Sequence, residues 1–539
     1  MSTDKSIIRS AGVVSLATII SRILGFIRDV VIARLFGVYF YAQVFIIAFR
    51  IPNLLRDLVG EGAANASLVP VFSEYEARRT KSEFWELANV VLNILLVVVT
   101  AIVLLGILFS PLIVRLIAPG FTAEPEKFLQ TVRLNRFIFP YILLISLVAY
   151  STGILNSLKH FTVPAFAPCL LNISIIFFAL VFGEGIRGLA LGVLVGGFLQ
   201  LAVQIPVLYK KGFRLHLFRR FRHPAAKTIG KLMLPRLGSS AIYQLNNFVD
   251  SIFGSLALIV GEGGVAVLYF SYRLIQFPLG VFSNALFQVM LPTFSTQALE
   301  TNRDALKQTL SFGLRAVFLV LLPASVGLAV LARPIVRALF QGGRFDAYST
   351  QLTARALSCY SLGLCAYGAT KILHGCFFAL KDTATPAKVA FLALVSNIIL
   401  NAILMWPLKI AGIALATSIS GIITFIILFF ILRKRLGDFY SRNVFSSFWR
   451  ILAASSGMGL VCYFLAGKDL PGGNALINKI GNLSLKLIAG CLSYILFCFI
   501  FRVREMRELW SWIVPQKAAP QKAAYPPPRY GGVGNRRIR

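Results

Sequence analysis

Fourteen stretches of about 20 mainly apolar residues follow one another along this chain. They lie near 12–36, 39–59, 87–113, 137–157, 162–183, 187–208, 232–258, 264–290, 312–341, 352–379, 386–407, 410–432, 448–467 and 481–502. A helix of that length crosses the hydrocarbon core of a bilayer, where each backbone N–H and C=O must find its partner within the segment. The pattern therefore predicts an all-α polytopic membrane protein. Composition agrees: of 539 residues, 57% are hydrophobic and only 14% charged, too few charges to cover a soluble fold of this size. The first stretch has arginines inside it and lacks a small-residue cleavage site, so it is expected to stay as a span.

The formal net charge of +33 arises from 54 Lys and Arg against 21 Asp and Glu. Basic residues gather in the connections after even-numbered spans: "EARRTK", "LKH", "ALKD", "RKRLGDFYSR" and, after the sixth, "YKKGFRLHLFRRFRHPAAKTIGK". The odd-numbered connections "FGEGIRG" and "VGEGG" are short and nearly neutral. By the positive-inside rule both termini are cytoplasmic. The bases punctuate apolar spans, so no nucleic-acid partner is expected. The run at 210–231 has a rival reading as a site for anionic lipid or a partner.

The chain also repeats itself. "LVPVFSEY" at 68–75 matches "MLPTFSTQ" at 290–297, and "GILNSLKHFTVPA" at 153–165 matches "GCFFALKDTATPA" at 375–387, both at an offset of 222 residues. Six spans separate the copies, so they share one orientation, as in transporters built from parallel repeats around a midplane site. The expected division is a first lobe at 1–225, a second at 226–445, two extra spans at 446–505 and a disordered Pro-rich cytoplasmic tail at 506–539. The copies differ where charge is concerned. Arg22 aligns with Gln244, Gly25 with Asn247, and Arg28 with Asp250.

Charges inside spans are costly and mark function. The first span carries Arg22, Arg28 and Asp29, the second Arg50 and Arg56 with Asn53, Asp57 and Glu61 close by, and the eighth Arg273. Pro52, Gly60, Gly62 and Pro278 interrupt these helices, and irregular backbone at membrane depth is tolerated where it faces protein or water. Arg22 and Asp29 share a helix face, while Arg28 points about 120° away. Internal ion pairing accounts for part of the set, with Asp29 paired to a neighbouring arginine. Five arginines against three acids, however, favour an anion-facing cavity. Arginine suits an oxyanion because its planar fork grips phosphate with two hydrogen bonds and keeps its charge. Arg34, nearer the end of the first span, is expected to snorkel.

Other signals exclude alternatives. There is no G-x-x-x-x-G-K-[ST] phosphate loop and no carboxylate–histidine constellation, so a catalytic function is not expected, and no metal or cofactor is implied. The seven cysteines lie almost wholly inside apolar runs without ligand spacing and read as packing residues, as does His374. Gly188, Gly192 and Gly196 read as a close helix contact.

"SRILGFIRDVVIARLFG", "FRIPNLLRDLVGEGAANASLVPVFSEY" and "YRLIQFPLGVF" resemble the signature segments of the MurJ (MviN) family of the multidrug/oligosaccharidyl-lipid/polysaccharide (MOP) exporter superfamily. The resemblance runs through essentially all the spans. It implies two six-helix lobes around a V-shaped cationic cavity, with the last two helices lining a groove for a lipid tail. It also implies alternating access that moves lipid II (undecaprenyl-pyrophosphoryl-MurNAc-pentapeptide-GlcNAc) to the outer leaflet for peptidoglycan synthesis, by a monomer among membrane lipids and the cell-wall synthesis machinery. The family's important positions carry over to Ser21, Arg22, Arg28 and Asp29, to Asn53, Arg56 and Glu61, and to Arg273. Some members have an aspartate where this chain has Gln43, so no acidic role carries over there. Two readings share the architecture: an exporter of another polyprenyl-pyrophosphate glycan, and a cation-coupled drug exporter, whose cavity would carry acids.

Overall fold

A computed structural model of the chain describes residues 2–55, 64–183, 185–217, 221, 223–467 and 476–506, with side chains except at 2–11, 55, 64–66, 234–244, 246–247 and 476–477. Arg56, Asp57, Glu61 and the tail from 507 onward lie outside the described residues. The first half comprises α1 (Ser2–Phe36), α2 (Phe40–Leu55), α3 (Ala64–Arg78), α4 (Lys81–Leu108), α5 (Ser110–Ile117), α6 (Pro125–Ile138), α7 (Tyr141–Ser157), α8 (Thr162–Phe182) and α9 (Ile186–Lys210). The second comprises α10 (Pro224–Gly254), α11 (Ala257–Val260), α12 (Gly264–Pro278), α13 (Asn284–Gln297), α14 (Asp304–Val330), α15 (Ala332–Leu339), α16 (Ala347–Ala379), α17 (Ala384–Leu408) and α18 (Ile410–Leu436). Two further helices follow, α19 (Ser441–Ala466) and α20 (Leu476–Ile500).

Among the described residues, 11 helical segments are long and apolar enough to cross a membrane. The other three expected spans fall on α1, α2 and α10, which are shorter as described or interrupted by charge, and which pack on α8, α6 and α17. Those three carry Arg22, Arg28, Asp29, Arg50 and Asp250, whereas Arg273 is on α12. A helix that holds a guanidinium or a carboxylate cannot also be uniformly apolar, and such charges mark function.

The repeat is visible in three dimensions. Helices α10, α12, α14, α15, α17 and α18 begin within two residues of the 222-residue offset from α1, α2, α4, α5, α8 and α9. Their packing repeats as well: α1 lies on α8 as α10 lies on α17, and α8 on α9 as α17 on α18. Lys159 and Lys381, matched in the sequence, both leave their helices in a left-handed conformation, φ 58° and 59°. Two non-glycine residues in that sparsely populated region at equivalent points are hard to explain except by common descent of the backbone.

Local chemistry sets the helix ends. Thr80 and Glu83 form a reciprocal capping box at the start of α4. Asp346 accepts from the Ser349 amide at 2.7 Å to start α16, and Asp382 and Asp438 accept from Thr385 and Ser441 in the same way. Between α8 and α9, a β-carbon on Gly192 would lie 2.8 Å from Ile175 Cα and one on Gly196 2.9 Å from Leu171 Cα. The glycine series thus makes the close helix contact its spacing suggested. Five of the seven cysteines are buried as expected, while Cys359 is half-buried and Cys491 exposed.

The two halves touch at one end of the bundle through their loops. Gly37 turns the chain from α1 into α2 at φ +64°, with space for a β-carbon closed by the Arg344 carbonyl at 2.6 Å. Gly343, φ +55°, sits in turn against the Arg34 carbonyl, which accepts from the Arg344 amide at 2.9 Å. Tyr39 donates to Asp346 at 2.6 Å, and the Gly120 amide donates to Ser255 at 3.0 Å. Arg34 does not snorkel: it is half-buried and donates to the Leu339 carbonyl at 3.2 Å. An accepting carbonyl across the interface outcompetes a route to water.

Candidate functional site

Asp29 is the centre of the contact between halves. It is fully buried and accepts from Arg28 (2.8 Å from Nη2 and 3.1 Å from Nε), from Arg273 Nε at 2.6 Å and from the Tyr269 hydroxyl at 3.1 Å. Helix α1 supplies Asp29 and Arg28, and α12 supplies Tyr269 and Arg273, so this cluster joins the lobes. The other side of Arg28 donates to Asn172 of α8 at 3.1 Å, and Asn172 donates back to the Ser21 carbonyl at 3.2 Å. One asparagine thereby holds two turns of α1. Gly25, between them, leaves room for it: a β-carbon there would already be 3.7 Å from the Asn172 side chain. One carboxylate against two guanidiniums leaves the layer with a surplus positive charge.

Arg22, two turns away along α1, has a different environment. It is exposed, and its Nη1 lies 2.6 Å from where a β-carbon of Gly280 would be. Gly280 lies in a π-helical turn, Leu279–Ser283, that follows Pro278. Proline removes an amide donor, and the widened turn takes up the disruption. The helix break foreseen at Pro278 thus brings bare backbone against an arginine. Lys371 of α16 stands near enough for Arg22 to act on it electrostatically, and it donates to Asn284 at 2.5 Å. His374, one turn on, stacks on Phe378 at 6.0 Å.

A third group adjoins the Asp29 cluster through Tyr269. Arg50 of α2 donates to Ser251 and lies in the field of Asp250, with which it lines a cavity of about 40 Å³ together with Tyr269, Tyr272 and Tyr360. Asp250, the repeat counterpart of Arg28, is buried and accepts from Thr417 at 3.1 Å and from Tyr360 at 3.3 Å. In both halves, then, the same helix position is a buried charge held by the helices packed on it, with opposite sign.

Ser21, Arg22, Arg28, Asp29 and Arg273 are thus brought together, in two layers. Asn53 is half-buried just after Pro52 in α2, while Gln43 is buried, with its Nε2 unpartnered. Lys371, Asn172 and Tyr269 were not singled out from sequence. Lys371 carried the same signal as the arginines, a cation inside an apolar run, whereas Asn172 and Tyr269 look like ordinary span residues until the partner helix is known.

A family model described as lipid II flippase MurJ matches residues 32–474. The chain belongs to the lipid II flippase MurJ family. Its relatives in that family include the "Probable lipid II flippase MurJ" of Buchnera aphidicola from Acyrthosiphon pisum, 36% identical over 77% of this chain and 81% of the relative. The "Lipid II flippase MurJ" of Burkholderia cenocepacia is 33% identical over 80% of this chain and 84% of its own length. A solved structure of lipid II flippase MurJ in an inward closed conformation superposes with a TM-score of 0.77, at 29% identity, covering 92% of this chain and 99% of that one. An inward-facing multidrug resistance MATE transporter of the MOP superfamily, 17% identical, has a TM-score of 0.60 and covers 78% of this chain and 96% of its own; that likeness is one of fold. The all-α architecture read from the apolar runs is thus the family's.

Proposed function

We propose that this chain is a lipid II flippase, which carries the undecaprenyl-pyrophosphate-linked peptidoglycan precursor from the cytoplasmic to the outer leaflet of the bacterial inner membrane by alternating access. The observation that carries this reading is the cationic surplus where the halves meet: among the described residues, Arg22, Arg28, Arg50, Arg273 and Lys371 stand against Asp29 and Asp250. A pyrophosphate between the halves satisfies that surplus. Arg22, exposed and without an acidic partner among the described residues, makes the first contact, with Lys371 opposite it on the second half. Arg273 and Arg28 extend the positive field behind them, and Asp29 keeps both forks oriented. Ser21 and Asn53 line the approach, and Arg56 and Glu61 complete the set by family resemblance.

The basic connections lie in the cytoplasm, both termini with them, and the Gly37 end faces outward. The first lobe is 1–225, the second 226–445, and α19 with α20 form the groove for the lipid tail, followed by a cytoplasmic tail. In this state the outward end is held shut by the loops around Gly37 and Gly343, so substrate enters from the cytoplasmic side.

The test is a strain whose own flippase can be depleted. Expression of this chain should restore growth and restore access of lipid II at the outer leaflet to an externally added probe. Lysis with lipid II retained inside, despite normal membrane insertion, would reject the proposal in favour of another polyprenyl-pyrophosphate glycan.

A further inference from the structure

The segment that joins the two halves is seated against the first half. After α9, Gly212 (φ +107°) turns the chain beneath Trp85, where a β-carbon would be 3.2 Å from Nε1. Phe213 is buried with its ring 5.7 Å from that of Trp85. Two buried asparagines of α4 then hold the backbone. Asn89 donates to the Arg214 carbonyl at 2.9 Å and accepts from the His216 amide at 2.8 Å, and Asn93 donates to the His216 carbonyl at 3.2 Å. Asn89 and Asn93 belong to the first two turns of the apolar run that begins at Leu87. The clasp therefore fixes the segment at the depth where α4 enters the hydrocarbon, below the level of its polar start at Lys81.

At that depth the outward-facing side chains alternate in character. Lys210, Lys211 and Arg214 are exposed and have no acidic partner among the described residues. Leu215 and Leu217 are 46% and 50% exposed. A topogenic charge needs no such arrangement, since charge alone retains a loop on one side. Exposed leucines at the acyl boundary, beside bases long enough to reach the phosphate level, fit the surface of a leaflet that carries anionic lipid. We propose that the segment from Lys210 to Leu217 is a docking surface for anionic phospholipid, with the leucines in the acyl layer and the bases on the headgroup phosphates. The first half is thereby anchored to the lipid at the point where the second half begins.

A benzophenone side chain in place of Leu215 tests this in the full-length protein, reconstituted in phosphatidylcholine vesicles containing a minority of phosphatidylglycerol. The same probe in place of Leu104, exposed near the opposite end of α4 from the clasp, gives the baseline. After irradiation, the ratio of phosphatidylglycerol to phosphatidylcholine adducts should be about fivefold higher at 215 than at 104, the enrichment one engaged base supplies. Lys210→Gln/Lys211→Gln should bring the ratio at 215 down toward baseline while lipid adducts persist; the six remaining bases of the loop still retain it. Equal ratios at 215 and 104 in the unaltered chain would overturn the proposal. So would an absence of lipid adducts at 215 with adducts present at 104, because the segment would then stand clear of the membrane, available to a soluble partner.

Discussion

Arg22 and Arg28 lie six residues apart on one helix, yet their surroundings give them different roles. Arg28 is 5% exposed and engaged by Asp29 and Asn172, so removing it leaves the buried Asp29 carboxylate to Arg273 and Tyr269 and takes the donor from Asn172. Breaking a buried pair so that its charge is left alone costs about 3–5 kcal/mol, and the second guanidinium of Arg273 keeps the loss here below that. Arg28→Ala should therefore lower the melting temperature of the purified protein and its amount in the membrane. Arg22→Ala should leave both unchanged while abolishing complementation, and Arg22→Lys should restore growth only in part, since the ammonium keeps charge without the fork. A destabilised Arg22→Ala would show that Arg22 holds the fold. By the same reasoning Lys371→Gln should weaken binding of lipid II to the purified protein at an unchanged melting temperature, and equal affinity would remove Lys371 from the site.

At the scale of the element, the loops around Gly37 and Gly343 form a latch in which close backbone contacts are joined by the Tyr39–Asp346 bond. A methyl group on Gly343 meets the Arg34 carbonyl, and the left-handed φ adds strain. Gly343→Ala should shift spin-label distances across this end toward an open population, with little change in folded yield; an unaltered distance distribution would mean that the latch does not hold the halves together. The latch should also be indifferent to pH. Burial alone would push the Asp346 carboxyl up, but the hydrogen bonds from Tyr39 and Ser349 outweigh it and hold it below its ordinary 3.8. Burial, then the bond to Asp346, push the Tyr39 phenol above its ordinary 10.0. The depressed carboxyl contributes above its ordinary value and loses its contribution only as pH falls through the lowered one, and the raised phenol loses its own only as pH rises past 10.0. Between about pH 5 and pH 9 neither titrates, and the same distances should stay constant across that window.

For the whole molecule, the last two helices are joined to the second half by more than apolar contact. Glu505, just beyond α20, is 6% exposed and accepts from Arg315 of α14 at 3.0 Å and from Ser447 of α19 at 2.6 Å. Tyr494 donates to the Leu319 carbonyl at 2.7 Å. Helices α14, α19 and α20 should therefore move as one body. Deleting 448–502 should abolish transport, because it removes α20 and most of α19, whereas removing 516–539 should leave growth normal, because that Pro-rich tail has no apolar run to bury. Complementation reads out both, and a functional chain without the last two helices would exclude them from the substrate path.

The sequence by itself determined the architecture. Apolar runs of membrane length, basic connections at alternate turns and a 222-residue repeat each follow from the hydrocarbon's demand for paired backbone and excluded charge. It also exposed Arg22, Arg28, Asp29, Arg50 and Arg273, because a charge within such a run is costly enough to stand out without a partner in view. Only the tertiary structure decided which of these are consumed by one another. Asp29 takes both Arg28 and Arg273, Arg34 is spent on the Leu339 carbonyl, and Arg22 is left facing Lys371. Those choices depend on Asn172, Tyr269 and the Gly280 backbone, brought in from about 140 to 260 residues away along the chain, and helical periodicity reports only which face a side chain leaves, not what stands opposite it.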